Sequence, residues 1–526
     1  MLKLNKCFGS HMVLQQKVPI SIWGRAKADQ KIEIKFQNQI FTGTANKNGN
    51  FLLKIGPFKV DQGSDLKVST VNEQIILSDV AVGEVWLCAG QSNMEFPLGY
   101  DRELAKEEAA LPQNIRYFDY PEVAYEGELN DADYHHFGFW RKATKHDLKY
   151  FTAVGYYFAK RLSQNLPNVP IGLLACNWGG TLVSCWMDKE HLFKAGAKNI
   201  WQDYQNQIKN LNVKKYKAEF KKRTSNFRTT VFENEVVNWI MTNVSMDEID
   251  GRLEKEGKSR EPWVPQPIGP YFEWRPCGLY QTMLLHVVPF TIKGVLWYQG
   301  ESDANYATQY RQQLVQLINN WREVFQNKKM PFLIVQLAPF IHQFGDWGNN
   351  WPIIRNAQQW VADHVPYTAL AVITDSGMKW NIHPVYKRNV GTRLALQALN
   401  KVYQQDIPCE APRIKNAILN RNNKELTVIF SNCYDGLNLN VSRLKLQEQK
   451  EFIDGLTIIQ DGIFYDHVPI KRIEQNKIIF NLIGFDLEKK MIISLAEKDY
   501  YCVNLKNSAG IPVRPGIVEP ILMKMN

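Results

Sequence analysis

The chain has 526 residues, 45% hydrophobic and 12% aromatic, with 63 basic against 53 acidic side chains and a formal net charge of +10. That length exceeds what one compact core serves and points to about three domains. Much of the positive excess lies in "NLNVKKYKAEFKKR", the pattern of a solvated helix face rather than a nucleic-acid surface, and no apolar run is long enough to span a membrane.

The start, "MLKLNKCFGSHMVL", has charge but no apolar h-region and no small-residue cleavage site, so the chain as given is expected to be cytoplasmic or already processed. Its "GSHM" continues straight into patterned sequence and is read as native. Residues 1–78 then alternate short β-rich runs ("VPISIWG", "KIEIKF", "QIFTGTA", "NFLLKI", "DLKVSTV") with polar turns such as "NKNGN", the pattern of a small β-sandwich. From 79 to 404 strands alternate with longer helical segments. The buried-strand run "VAVGEVWLCAG" is followed by "NIRYFDY", helical "LKYFTAVGYYFAKRLSQNL", strand "IGLLAC", strand "TIKGVLWYQ" and helix "ATQYRQQLVQLINNWREVF". Strand "PFLIVQLA", helix "WPIIRNAQQWVADHV", strand "TALAVIT" and helix "VYKRNVGTRLALQALNKVY" complete the series. Such alternation predicts an α/β fold with a mostly parallel sheet covered by helices. A polar stretch at about 194–262 interrupts it and is read as a helical insertion. From 405 to 526 the β pattern returns in "ELTVIF", "GLTIIQDGIFY", "KIIFNLI" and "KMIISLA", predicting a second β-rich domain. No internal repeat occurs at a fixed period.

Eight cysteines, Cys7, Cys88, Cys176, Cys185, Cys277, Cys409, Cys433 and Cys502, are widely spaced without a C-x-x-C pair and read as reduced core thiols. His135 and His136 lie near Asp131 and Asp133 but without metal-ligand spacing, so neither a metal nor a cofactor is expected.

In an open α/β sheet ligands collect beyond the carboxyl ends of the strands, and four turns should meet there. "AGQSN" carries Ser92, "CNWGG" offers Asn177, Gly179 and Gly180, "YQGESDA" offers Gln299, Glu301 and Asp303, and "DSGMKWNIHP" runs from Asp375 to His383. These are the groups acyl transfer needs. A hydroxyl nucleophile wants a nearby base, and His383 is placed at a strand end before a helix. The developing oxyanion wants donors, for which the Ser92 and Gly180 N–H groups and the Gln299 side-chain amide are candidates. Each element also has a structural reading. Ser92 and Glu95 fit a capping box, Gly179-Gly180 fits a plain turn, His383 before Pro384 fits a residue leading into a helix, and Glu301 and Asp303 fit helix caps. Their joint occurrence in this order favours the chemical reading.

"GQSNMEFPL", "NWGGT", "GVLWYQGESDA" and "NIHPVYKRNVGTRLA" resemble the sequence blocks of the sialate O-acetylesterase family, a branch of the SGNH hydrolases. The resemblance extends from "FGSHMVLQQKVPISIWG" through "WRPCGLYQTML" to the terminal β region, where "NSAGIPVRPG" matches only loosely. It implies an SGNH-hydrolase, flavodoxin-like parallel sheet with helices on both faces and flanking β-sandwich-type domains. It also implies a cofactor-free serine esterase that removes O-acetyl groups from a small-molecule sugar, with Ser92 as nucleophile, His383 as base, and the Ser92 N–H, Gly180 N–H and Gln299 amide as the oxyanion hole. O-acetylated sialic acid is the substrate so implied; esterases of acetylated plant polysaccharide share the core, and a carbohydrate-binding protein with a silent hydrolase core is the rival of another class. Gln91, Asn93 and Trp178 beside the turns are candidates for holding substrate, and Arg275 and Arg355 for its carboxylate. Trp380 stands where many SGNH enzymes have the aspartate that orients the histidine. A backbone carbonyl near Trp380 is the favoured substitute, Glu301 the second and Asp375 the third. Oligomeric state is left open.

Overall fold

The computed structural model describes all residues except 113, 129–136, 225–267, 342–349, 380, 441–451 and 524–526. The paired histidines and their aspartates, Trp380, and most of the second half of the insertion therefore lie outside the described residues. Within the insertion, Lys198–Ile208 and Val213–Thr224 are helices, and the lysine-rich stretch falls on the second.

The frame of the molecule is one parallel sheet. Its strands are β1 (Gln74–Gly90), β2 (Ile115–Asp119), β3 (Ile171–Asn177), β4 (Gly294–Tyr298), β5 (Phe332–Val335) and β6 (Thr368–Ala371). They lie in the order β2-β3-β1-β4-β5-β6, all parallel, with Trp140–Lys142 antiparallel at the β2 edge. Strands buried on both faces read as continuous apolar runs, which is why "IGLLAC" and "GVLWY" carry no alternation. The main helices are α1 (Ala153–Asn165), α2 (Ala307–Val324), α3 (Asn350–His364) and α4 (Arg388–Lys401). Trp86 of β1 meets Phe158 of α1 with ring centroids 5.0 Å apart. Trp297 is in register with Ala89, which points away from Trp86, and there it meets Trp321 of α2 at 5.6 Å. Helices thus cover both faces. The close crossing of α4 on α1 depends on Gly391, where a Cβ would lie 2.5 Å from the Val154 carbonyl oxygen.

β1 belongs to two sheets. Its first half pairs antiparallel with Asp61–Ser69 and alternates between buried and exposed; from Val80 on it is buried throughout and pairs with β3 and β4. Residue 78 therefore falls inside one unbroken strand. The remaining N-terminal strands form a sheet of Lys3–Leu4, Ile20–Arg25 and Asn50–Ile55, and a layer of Lys31–Phe36, Gln39–Thr44 and Asp61–Ser69. Their buried side chains run without a gap into the core of the parallel sheet, whereas residues from Ala417 to Val513 build a core of their own inside the C-terminal sheets. All eight cysteines are free, and all but Cys502 are buried. Among the described residues no helix is long and apolar enough to cross a membrane, and no group of His, Cys, Asp and Glu side chains is arranged to hold a metal.

Candidate active site

β1 sits where the strand order reverses direction, with the later β3 on one side and β4 on the other, the position at whose carboxyl ends open α/β sheets bind ligands. Gly90 closes β1 at φ 141°, and a Cβ on it would stand 2.0 Å from the Tyr298 carbonyl oxygen. Only glycine allows β1 and β4 this approach. The Gln91 N–H then donates to that same carbonyl at 3.0 Å, and Ser92 begins a four-residue helix, Ser92–Glu95.

The capping box does not form. The residue at the cap position is Gln91, with no side-chain cap bond, and the Glu95 carboxylate turns away to accept the Gly179 N–H at 2.7 Å. The Ser92 hydroxyl is instead 2.8 Å from His383 Nε2. Serine and histidine are 291 residues apart in sequence and meet because β1 and the segment before α4 end on the same edge of the sheet.

The "NWGG" turn lies against the serine. A Cβ at Gly179 would be 3.2 Å from Ser92 Cβ, and Gly180 takes φ 74°. Neither the Ser92 nor the Gly180 N–H has an acceptor among the described residues. Gln299 does not join them. Both hydrogens of its Nε2 are taken, by Thr181 O at 3.1 Å and Asp303 Oδ2 at 2.5 Å, and the residue is fully buried. Asp303 also accepts the Val183 N–H at 2.9 Å, so Gln299 and Asp303 together pin the loop that carries Gly180.

Other candidates are placed differently from their expectation. Gln91 is 2% exposed, with its amide on Ser302 Oγ at 3.3 Å and on the Gly300 and Ser302 N–H groups, so it joins two turns and faces no ligand. Asn93 is buried as well, bonded to Glu301, Ile382 and Lys387. Trp178 is half-buried in the turn, its N–H on Gly90 O at 3.2 Å. Arg355 is fully buried and holds the Lys498 and Asp499 carbonyls and the Tyr501 ring, a brace to the C-terminal region rather than a substrate group. Arg275 lines a separate cavity of about 360 Å³ with Tyr120, Glu126 and His286, and no residue of the four turns lines it.

Among the described residues no carboxylate orients the imidazole. Asp375 is bound on both oxygens by Arg393 at 2.6 and 2.7 Å and by Lys506 at 2.7 Å. Glu301 Oε1 accepts from Asn93 at 2.6 Å, while its Oε2, buried, has no partner. His383 Nδ1 also has no partner among the described residues; the carbonyl of Trp380 lies outside them. Burial, aided by the Lys387 ammonium, holds the His383 imidazole down at about 3, so it rests neutral and able to take a proton. Burial raises Glu95 to about 7 and Asp303 to about 7. Sequence reasoning missed Lys387, whose one signal is its place four residues after His383.

A family model described as carbohydrate esterase, sialic acid-specific acetylesterase, matches residues 82–259 and 263–400. The chain is 28% identical over 405 residues to the sialate O-acetylesterase of Mus musculus, covering 71% of this chain and 66% of that protein. Against the Homo sapiens sialate O-acetylesterase it is 27% identical over 387 residues, covering 68% and 60%. The chain thus matches less than two thirds of the length of these relatives. Among solved structures, a carbohydrate acetylesterase from Xanthomonas citri superposes with a TM-score of 0.72 at 25% identity, covering 98% of this chain and 99% of that one.

Proposed function

As the chain belongs to the sialic acid-specific acetylesterase family of carbohydrate esterases, we propose that it hydrolyses O-acetyl esters of a sugar through an acetyl-Ser92 intermediate. The observation that carries this reading is the 2.8 Å contact between Ser92 Oγ and His383 Nε2 at the switch point of the sheet. His383 takes the hydroxyl proton as Ser92 attacks the acetyl carbonyl. The Ser92 and Gly180 N–H groups receive the oxyanion. The imidazolium then returns the proton to the leaving sugar oxygen, and water, activated by the same histidine, releases acetate. The order β3-β1-β4-β5-β6 is the flavodoxin-like order with β2 added at the edge, which supports the SGNH reading. We take 1–78, 79–404 and 405–526 as the working division of the chain, with the separate C-terminal core supporting the last boundary.

The family favours O-acetylated sialic acid as substrate. A neutral acetylated sugar is favoured by one observation: Glu95, at the Gly179 turn, is hydrogen-bonded to Glu122, a carboxyl pair that shares one proton and leaves one negative charge near the serine, unfavourable to an anionic substrate. The test is Ser92→Ala, expected to lose hydrolysis of an aryl acetate and of 9-O-acetyl sialic acid while keeping its melting temperature. Retained turnover would overturn the mechanism. Equal kcat/KM for acetylated xylo-oligosaccharide and for the sialate ester would assign the neutral sugar instead.

A further inference from the structure

The turns that carry Ser92 and His383 are tied together by one side chain. Asn93 is 1% exposed. Its Nδ2 donates to Glu301 Oε1 at 2.6 Å and to the Ile382 carbonyl at 2.9 Å, and its Oδ1 accepts from Lys387 Nζ at 2.5 Å. An ammonium only donates, and a carboxylate or carbonyl only accepts, so these partners fix which way the amide points. The residue after the serine thereby grips the residue before the histidine, the residue four beyond it, and the turn after β4.

Lys387 is fully buried, 4.7 Å from the Phe96 ring centroid and 5.5 Å from that of Tyr298, and its backbone N–H is held by Asp101 Oδ2 at 2.7 Å. Its ammonium hydrogen-bonds the Asn93 amide, whose Nδ2 in turn bonds Glu301. Burial lowers it to about 7, opposed by Glu301 and Asp101. A dry ammonium bonded to a neutral amide is an unfavourable use of a lysine unless the amide's position matters. His383 provides the reason. Among the described residues its backbone is held by its own N–H on Asn381 Oδ1 at 2.8 Å and by the Ile382 carbonyl on Asn93.

We propose that Lys387, Asn93 and Glu301 form a buried brace that sets the spacing of Ser92 and His383, with Lys387 as a positioning residue. The proposal rests on the esterase reading above.

Lys387→Met keeps the length of the stem and removes the donor. It is expected to lower kcat on an aryl acetate by about 10- to 100-fold with KM within about twofold, the penalty of a reacting pair held slightly out of place. The rate at which an aryl phosphonate labels Ser92 should fall by the same factor, since it reads the Ser92–His383 pair without sugar recognition. Lys387→Met with Glu301→Gln is neutral throughout and guards against a single variant that fails to fold; it should remain slow, because Asn93 Oδ1 still lacks its donor. Wild-type kcat and labelling in either folded variant would overturn the brace, as would a loss confined to KM. Failure of the underlying reading is separate: the wild-type enzyme would then not be labelled at Ser92 at all.

Discussion

Two clusters of ionisable groups lie at the carboxyl edge of the sheet, and they are built on opposite terms. Around Asp375 every charge has a counter-charge: Arg393 and Lys506 hold both carboxylate oxygens, which pulls the acid well below the ordinary carboxylate range, and Asp375 and Arg393 are 5% and 7% exposed. Around Ser92 the buried atoms His383 Nδ1, Glu301 Oε2, Gln299 Oε1 and Asp303 Oδ1 have no partner among the described residues. There the imidazole and the Lys387 ammonium are pushed down and the Glu301 and Asp303 carboxyls up, all by burial. Charges that satisfy one another hold a fold together. Groups left polar, buried and unsatisfied are the mark of a site kept for chemistry.

The contrast breaks first at His383. His383→Ala is expected to lower kcat/KM on an aryl acetate by about 10³-fold or more, with the melting temperature within a few degrees of the parent, since the one ring bond among the described residues is to the serine. A variant that melts early but keeps its turnover per folded molecule would move His383 into the structural class. Asp375→Asn is the mirror experiment. Leaving Arg393 and Lys506 buried against a neutral amide should cost about 3 kcal/mol or more of stability in urea unfolding, with kcat unchanged in the folded protein. A fall in kcat at constant stability would return Asp375 to the chemistry. Arg355→Met sharpens the same line at smaller cost: about 1–3 kcal/mol is lost with the bonds to the Lys498 and Asp499 carbonyls, and the ratio of kcat/KM between a sialate ester and a neutral ester stays where it was.

The legible part of this site is the part that strands carry. "VWLCAGQS", "CNWGG", "WYQGE" and "NIHP" could be read as turns on one edge because buried parallel strands are unbroken apolar runs ending in glycine or a polar residue, and a parallel sheet brings such ends together. Side-chain direction could not be read. Gln299 has the right position for an oxyanion donor, but its amide points at Thr181 and Asp303, and a string of letters does not show which way an amide turns. Arg355 looked available because arginine is usually a surface group; its burial depends on Lys498 to Tyr501, over a hundred residues away. The capping box failed for a similar reason, since Glu95 found the Gly179 N–H on another turn before the local one. Lys387 was overlooked, and Asn93 was read as a group for substrate, because their pairing joins segments 294 residues apart. The N-terminal boundary was blurred by continuity: β1 changes partners along its length without a break for composition to register.

The smallest effect is the one that tests the unsatisfied imidazole most directly. An ordinary histidine base, titrating near 6.5, would lose about 30-fold in kcat/KM between pH 8 and pH 5. With His383 held at about 3 its neutral form persists through that range, so kcat/KM on an uncharged aryl acetate should change by less than about twofold on this account. Stability must move the other way. Between about 3 and 6.5 the unfolded chain binds a proton at this histidine that the folded chain refuses, so the unfolded state gains as the pH falls and His383 makes the protein less stable in acid. Glu95 and Asp303, both raised to about 7, run opposite: they hold protons in the folded state that the unfolded chain releases, so their contribution is present below the unfolded carboxylate pKa and is lost as the pH rises through about 7. A limb near neutral pH in kcat/KM would therefore come from Glu95, Asp303, Lys387 or an ordinary His383, and single variants separate them, Glu95→Gln first. If the limb vanishes in that variant, the Gly179 turn depends on the ionised Glu95 and the imidazole keeps its depressed pKa. If it persists in Glu95→Gln, Asp303→Asn and Lys387→Met alike, His383 titrates as an ordinary histidine, and the difference drawn between the two clusters fails at its centre.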